Sequence, residues 1–363
     1  MTNRRSFLTG AATAGAAVSS FSAPAIAEGK RTLKMVTTWP KNLPGLGMAA
    51  EHLAKRIVEA TDGQLSVQVY AAGELVGAFD AFDAVASGNA DMYHGADYYW
   101  QGKSPAFNFF SSVPFGLTAN EQNAWIYYGG GQELWDELSA RFNIKPLMCA
   151  NTGVQLGGWY NKQINSIEDF KGLKIRMPGL GGEVLRRLGA SVISIPGGEI
   201  YTSLQQGVID ATEWIGPWND MVFGFHRIAK YYYWPGFHEP GPSLALGINL
   251  DLWNSLSKNQ QVIVQACAAA QNDMTLAEFN ANNSTTLKTL VNQHKVDMRR
   301  FSDAILTKIG TVSGEVLRET ANFDDITRRV YESFMSSRKD SMRWSRIAEE
   351  AFNSARRLPF AYE

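Results

Sequence analysis

Arg176 stands in a short predicted strand, residues 173–177, in which Ile175 and Met177 share one face, so Arg176 and Lys174 point the other way. An arginine held on a strand suits a carboxylate. Its planar fork supplies two parallel hydrogen bonds and never loses its charge. Taken alone, it reads as an ordinary surface arginine. Downstream, Asp210, Ala211, Thr212, Glu213, Trp214, Ile215, Gly216, Pro217 and Trp218 place an acid between a predicted strand and a Gly-Pro break. Such breaks are where α/β folds bind ligands. Tyr231, Tyr232, Tyr233, Trp234, Pro235, Gly236, Phe237 and His238 then lead to Glu239. Aromatic walls with few polar groups describe a small-molecule pocket. Composition alone reads the same aromatics as core and the two glutamates as solvated.

Signatures of catalysis are scarce. His52, His94, His226, His238 and His294 show neither a zinc-protease spacing nor a pairing with cysteine, and there is no nucleophile elbow. His226 and His238 read as ordinary core or surface groups. Gly179, Leu180, Gly181 and Gly182 resemble a dinucleotide loop, but Val184 stands where its third glycine belongs, so a dinucleotide site is not expected.

The elements that must carry these residues are α/β in character. A strand over 32–38 stops at Trp39-Pro40. An amphipathic helix marked by Met48, Leu53, Ile57 and Val58 follows, and then a strand over 65–70. Two distant segments share one order of Gly-Glu, helix, Gly, strand and Asp: Gly73-Glu74 to Gly88 and Asp91, and Gly198-Glu199 to Gly207 and Asp210. The echo predicts two similar lobes, the second beginning near Pro178-Gly179. Ser166 with Asp169 and Ser257 with Gln260 read as capping boxes, and the chain beyond 257 reads as helical. There, Ile326, Val330, Phe334, Trp344, Ile347, Ala351 and Phe352 make an apolar stripe with no partner visible in sequence.

With 363 residues and 45% apolar composition, the chain exceeds the size at which one core usually divides. A net charge of −1 without basic-aromatic clusters argues against a nucleic-acid partner. Cys149 and Cys267 sit in apolar surroundings and read as buried free thiols. Arg4-Arg5-Ser6-Phe7-Leu8, a short Ala/Gly-rich run and Ala25-Ile26-Ala27 look like a twin-arginine export signal over 1–27, cleaved after Ala27. Beyond it no run is long enough to insert into a membrane.

Together, Trp39-Pro40, Gly73-Glu74-Leu75-Val76-Gly77, Lys174 to Gly179 and Gly207 to Trp214 resemble the extracytoplasmic solute-binding proteins of tripartite ATP-independent periplasmic (TRAP) transporters, particularly the 2-oxoacid-binding branch. The resemblance covers the chain beyond the signal. It implies a two-lobe periplasmic binding protein fold with long connecting helices and a carboxyl-terminal extension after about Glu315. It also implies closure around a carboxylate held by Arg176, and a cation near Gln155, Glu213, the Trp214 carbonyl and Glu239. Substrate-binding roles thus fall to Gln155, Arg176 and Trp214, and metal ligation to Glu213, Trp214 and Glu239. Charge balance agrees, because two pocket glutamates and a ligand carboxylate face one arginine. All-oxygen ligands favour sodium, with calcium as the alternative.

The expected organisation is a first α/β lobe over 28–150, a second over 151–256, and a helical region over 257–363 that crosses both lobes and ends in a dimerisation helix. The expected role is periplasmic capture of a 2-oxoacid such as pyruvate for the membrane subunits of a TRAP transporter, without catalysis. Lactate or a dicarboxylate is an alternative ligand, and a periplasmic enzyme acting on an oxoacid is a rival of another class.

Overall fold

A computed structural model describes residues 30–362; the expected export signal lies outside them. Eleven strands form among these residues: β1 (Arg31–Thr37), β2 (Leu65–Tyr70), β3 (Met92–Gly95), β4 (Ile144–Asn151), β5 (Gly158–Tyr160), β6 (Lys174–Arg176), β7 (Ser191–Ile193), β8 (Ala211–Thr212), β9 (Tyr231–Trp234), β10 (Ser243–Asn249) and β11 (Asp297–Arg300). They make two sheets, ordered β2-β1-β3-β10-β4 and β11-β9-β5-β8-β6-β7.

The echo in the sequence is visible in this order. β1 pairs in parallel with β2 and β3 and sits between them, as β6 does between β7 and β8. An antiparallel strand then follows in each sheet, β10 beside β3 and β5 beside β8. Gly88 and Gly207, which end the matching helical segments, both have positive φ, where a side chain would be strained.

The boundaries expected at 150 and 256 do not follow the sheets. β10, from the expected second lobe, lies in the first sheet between β3 and β4. All seven of its residues are buried. An apolar run of this kind needs cover on both faces and partners on both edges, which a central position supplies.

The helix Lys258–Asn292 opens on the expected Ser257/Gln260 capping box and at 35 residues spans about 50 Å. It packs on β4 and the Leu46–Ala60 helix at one end and on the Pro217–Phe223 helix at the other, tying the two halves together. The helix Asp303–Thr320 lies on the Gly179–Arg187 helix, where Arg187 pairs with Glu319. The helix Asp325–Ile347 returns to the first half.

That return corrects the expectation for the apolar stripe. Ile326, Val330 and Phe334 are buried, with the Phe334 ring edge-on to Trp125 at 5.2 Å and to Phe109 at 5.4 Å. Trp344, Ile347, Ala351 and Phe352 are exposed. The aromatic surface that covers the first part comes from residues over 200 positions earlier, so local sequence gave no sign of it. Cys149 and Cys267 are buried and free, as expected.

Candidate ligand and cation site

Arg176 ends β6 and is aligned with Thr212 of β8, so Glu213 leaves the sheet beside it. The Glu213 backbone N–H donates to the Arg176 carbonyl at 3.3 Å. Both side chains are about 1% exposed. Arg176 Nη1 donates to Glu213 Oε1 and, at 3.1 Å, to the Glu213 carbonyl. Its Cζ lies 5.0 Å from the Trp214 ring, and Nη2 reaches Tyr99 Oη at 3.5 Å. A buried charge needs this much compensation.

The segment after Glu213 is held by Asp220. Its Oδ1 accepts from the backbone N–H groups of Ile215 and Gly216 at 3.1 Å; its Oδ2 accepts from Tyr232 Oη at 2.7 Å and Trp159 Nε1 at 2.9 Å. Asn219 accepts from Trp214 Nε1 at 3.3 Å and donates to the Pro44 carbonyl at 3.0 Å, linking the Trp214 loop to the first half of the molecule. Gly197 allows the approach of the indole: a Cβ there would lie 2.5 Å from the Trp214 ring.

Gln155 and Glu239 meet through the backbone, with the Gln155 N–H donating to the Glu239 carbonyl at 3.1 Å. Gln155 Nε2 donates to Thr152 Oγ1 at 3.1 Å, whereas its Oε1 is buried without a partner. An unmatched buried acceptor is costly and points to an absent donor or cation. Burial first, and the Glu213 charge second, push the Glu239 carboxyl up to about 8. Glu213, His238 and Glu239 each offer a ligand atom, all within 4.8 Å of one another. The unmatched amide oxygen and the undercompensated acids fit a hard cation, which would be held by Glu213, Glu239 and Gln155 and would supply the missing positive charge.

Gln155, Arg176, Trp214 and Glu239 line a cleft whose walls also include Trp39, Leu46, Tyr98, Tyr99, Ile215 and Leu244. The structure therefore brings Gln155, Arg176, Glu213, Trp214 and Glu239 into one place.

The profile of bacterial extracellular solute-binding proteins, family 7, matches residues 35–323. The chain belongs to this family. It is 41% identical over 321 residues to the monocarboxylate 2-oxoacid-binding periplasmic protein of Nostoc sp. strain PCC 7120, covering 88% of each chain. A TRAP periplasmic solute-binding protein from Pseudoalteromonas atlantica T6c, solved with bound sodium and pyruvate, is 38% identical, with a TM-score of 0.88 over 92% of this chain and all of that one. A TRAP transporter solute-binding protein from Bordetella bronchiseptica RB50 is 35% identical, with a TM-score of 0.87 over 89% of this chain and 96% of that one. That protein was a mixed-occupancy dimer with calcium and picolinate in one site and an apo second site.

This family-7 protein departs from its sequence reading at His238. Expected to be an ordinary core or surface group, His238 is buried against the site, with Nε2 3.0 Å from Glu213 Oε2. Burial opposes its charging, and the Glu213 carboxylate more than offsets that, so its pKa is raised. Its neighbours Phe237 and Trp234 gave it the look of a core residue; only its adjacency to Glu239 hinted otherwise. Arg176 is not the surface arginine that its sequence also allowed, being buried and engaged with Glu213. The glycines read as a failed dinucleotide loop serve packing at the site, since a Cβ on Gly181 would stand 2.7 Å from His238 Cβ.

Proposed function

We propose that this protein captures a monocarboxylate 2-oxoacid, such as pyruvate, together with sodium or calcium in the periplasm and presents it to the membrane subunits of a TRAP transporter. No bond of the ligand is made or broken. Arg176 meets the carboxylate, Trp214 walls it, and Glu213, Glu239, the Trp214 carbonyl and the unmatched Gln155 Oε1 hold the cation.

The observation that carries this reading is the charge balance among the buried groups of the cleft. Arg176 is matched by Glu213, so Glu239 and an entering carboxylate would stand together without a counter-charge at low effective dielectric. A cation bridging both relieves that repulsion, and a 2-oxoacid offers two adjacent oxygens to it. The ligands of the sodium-pyruvate and calcium-picolinate relatives have this pattern of a donor atom beside a carboxylate. Few charged side chains beyond these line the cleft, which favours a monocarboxylate over a dicarboxylate.

The test is calorimetric titration of pyruvate into chelated protein in sodium-free buffer, repeated with sodium and with calcium restored. Affinity rises at least tenfold with one of the cations, about 1.4 kcal/mol or more. Equal affinity in all three buffers removes the cation from the reading. No binding of pyruvate, 2-oxobutyrate or lactate in any of them removes the ligand class.

A further inference from the structure

The buried imidazole beside the candidate cation ligands has no role in that reading. We propose that His238 is a positioning residue that fixes the Glu213 carboxylate for the cation; this rests on the proposed function.

His238 is itself closely held. Its carbonyl accepts from Ser112 Oγ at 3.4 Å, its ring meets Phe237 edge-on at 5.4 Å, and Gly181 presses on its Cβ side. Its side chain is 1% exposed. A carboxylate only accepts hydrogen bonds, so at 3.0 Å from Glu213 Oε2 the Nε2 atom carries the proton and donates. Arg176 holds the other oxygen, Oε1. The two donors therefore pin both ends of one carboxylate, leaving the remaining lone pairs available at a fixed orientation.

The consequence follows from what Glu213 could do otherwise. A guanidinium and a carboxylate favour the two-pronged arrangement. Without the imidazole on Oε2, Glu213 can turn both oxygens toward Arg176. The cation then loses an aligned ligand, and the anion finds its arginine occupied. His238 then acts on both ligands through Glu213, as outer-shell partners of metal ligands do, at a cost of roughly 10–100-fold on removal. His238 Nδ1 is buried without a partner, so the ring keeps no other hydrogen bond to explain its place.

The experiment compares His238→Phe, which keeps ring volume without the donor, with His238→Gln, whose amide can donate from nearly the same place. His238→Ala serves in place of the first if that variant does not fold. Calcium and pyruvate are titrated separately by calorimetry. His238→Phe weakens both by about tenfold or more, and His238→Gln recovers most of the loss. In a Glu213→Gln background the same replacement changes either affinity by less than about threefold, because the residue acts through Glu213. Wild-type affinity in His238→Phe overturns the inference, as does an undiminished loss in the Glu213→Gln background. If wild type binds neither ion nor pyruvate, the proposed function fails first; if it binds both and the variants do too, only this inference fails.

Discussion

Glu239 carries the least compensated charge in the cleft, and its proton competes with the cation for the same oxygens. Its folded pKa, about 8, lies above the ordinary 4.5, because burial and the Glu213 charge disfavour ionisation. Without cation, the folded protein binds more protons than the unfolded chain between those values. Stability from this group is thus fully present below the ordinary pKa and is lost as pH rises through the folded one. Asp97, pushed up to about 7 chiefly by burial, acts in the same direction. Cation binding must expel the Glu239 proton, so its own pH dependence has the opposite sign. Two measurements check this. Melting temperature of the chelated protein falls as pH is raised from about 5 to about 8, and calcium affinity rises over that range. A calcium affinity independent of pH there would mean that Glu239 is not a ligand. In Glu239→Gln the pH dependence of calcium affinity is largely lost, since an amide keeps an oxygen and has no proton to give up.

At the scale of elements, the helix Asp325–Ile347 does two jobs along its length. Phe334 is sealed between Trp125 and Phe109, and Arg338 Nε donates to the Phe115 carbonyl at 2.7 Å. Beyond this point Trp344 and Ile347 stand 67% and 71% exposed. Phe334→Ala therefore costs about 3–5 kcal/mol of stability in chemical denaturation, and Trp344→Ala costs the isolated chain almost nothing. Loss of equal size at both positions would show that the exposed part has an intrachain partner. The sequence announced this helix by its 3.6-residue spacing, as it announced β1, the Leu46–Ala60 helix and the Ser257 cap, because those signals are local. It did not announce that β10 crosses to the first sheet or that Phe334 finds Trp125, because pairing across long stretches of chain leaves no local mark. The site divides in the same way. Strand alternation and a Gly-Pro break singled out Arg176 and Glu213, but read alone they looked like surface groups, and the resemblance supplied their roles. His238 was not singled out, because a histidine among aromatics looks the same whether it faces a core or a carboxylate. Gln155 entered through resemblance alone; its unmatched oxygen is a property of the folded cleft.

For the whole molecule, the exposed end of the carboxyl-terminal helices is the feature that a single chain leaves unresolved. Trp344, Ile347, Phe352, Leu358 and Phe360 are each more than half exposed along one short stretch. Water-facing apolar side chains in such a run are a cost that a second copy can offset by burial, and identical chains close most simply about a two-fold axis. The Bordetella bronchiseptica relative was solved as a dimer. We propose that this protein also dimerises, through the segment beyond Asp340. Removing everything after Thr320 would be an ambiguous test, because it would also strip Ile326, Val330 and Phe334 from the core and expose Trp125. A stop after Asp340 keeps those residues and the Arg338 hydrogen bond while deleting the exposed run. By sedimentation at micromolar concentration the full chain is a dimer and the shortened chain a monomer, with pyruvate affinity unchanged, since no residue beyond 340 lines the cleft. A full-length protein that sediments as a monomer, or a shortened one that remains a dimer, refutes this assignment of the interface. A shortened monomer that no longer binds pyruvate would instead show that assembly completes the site.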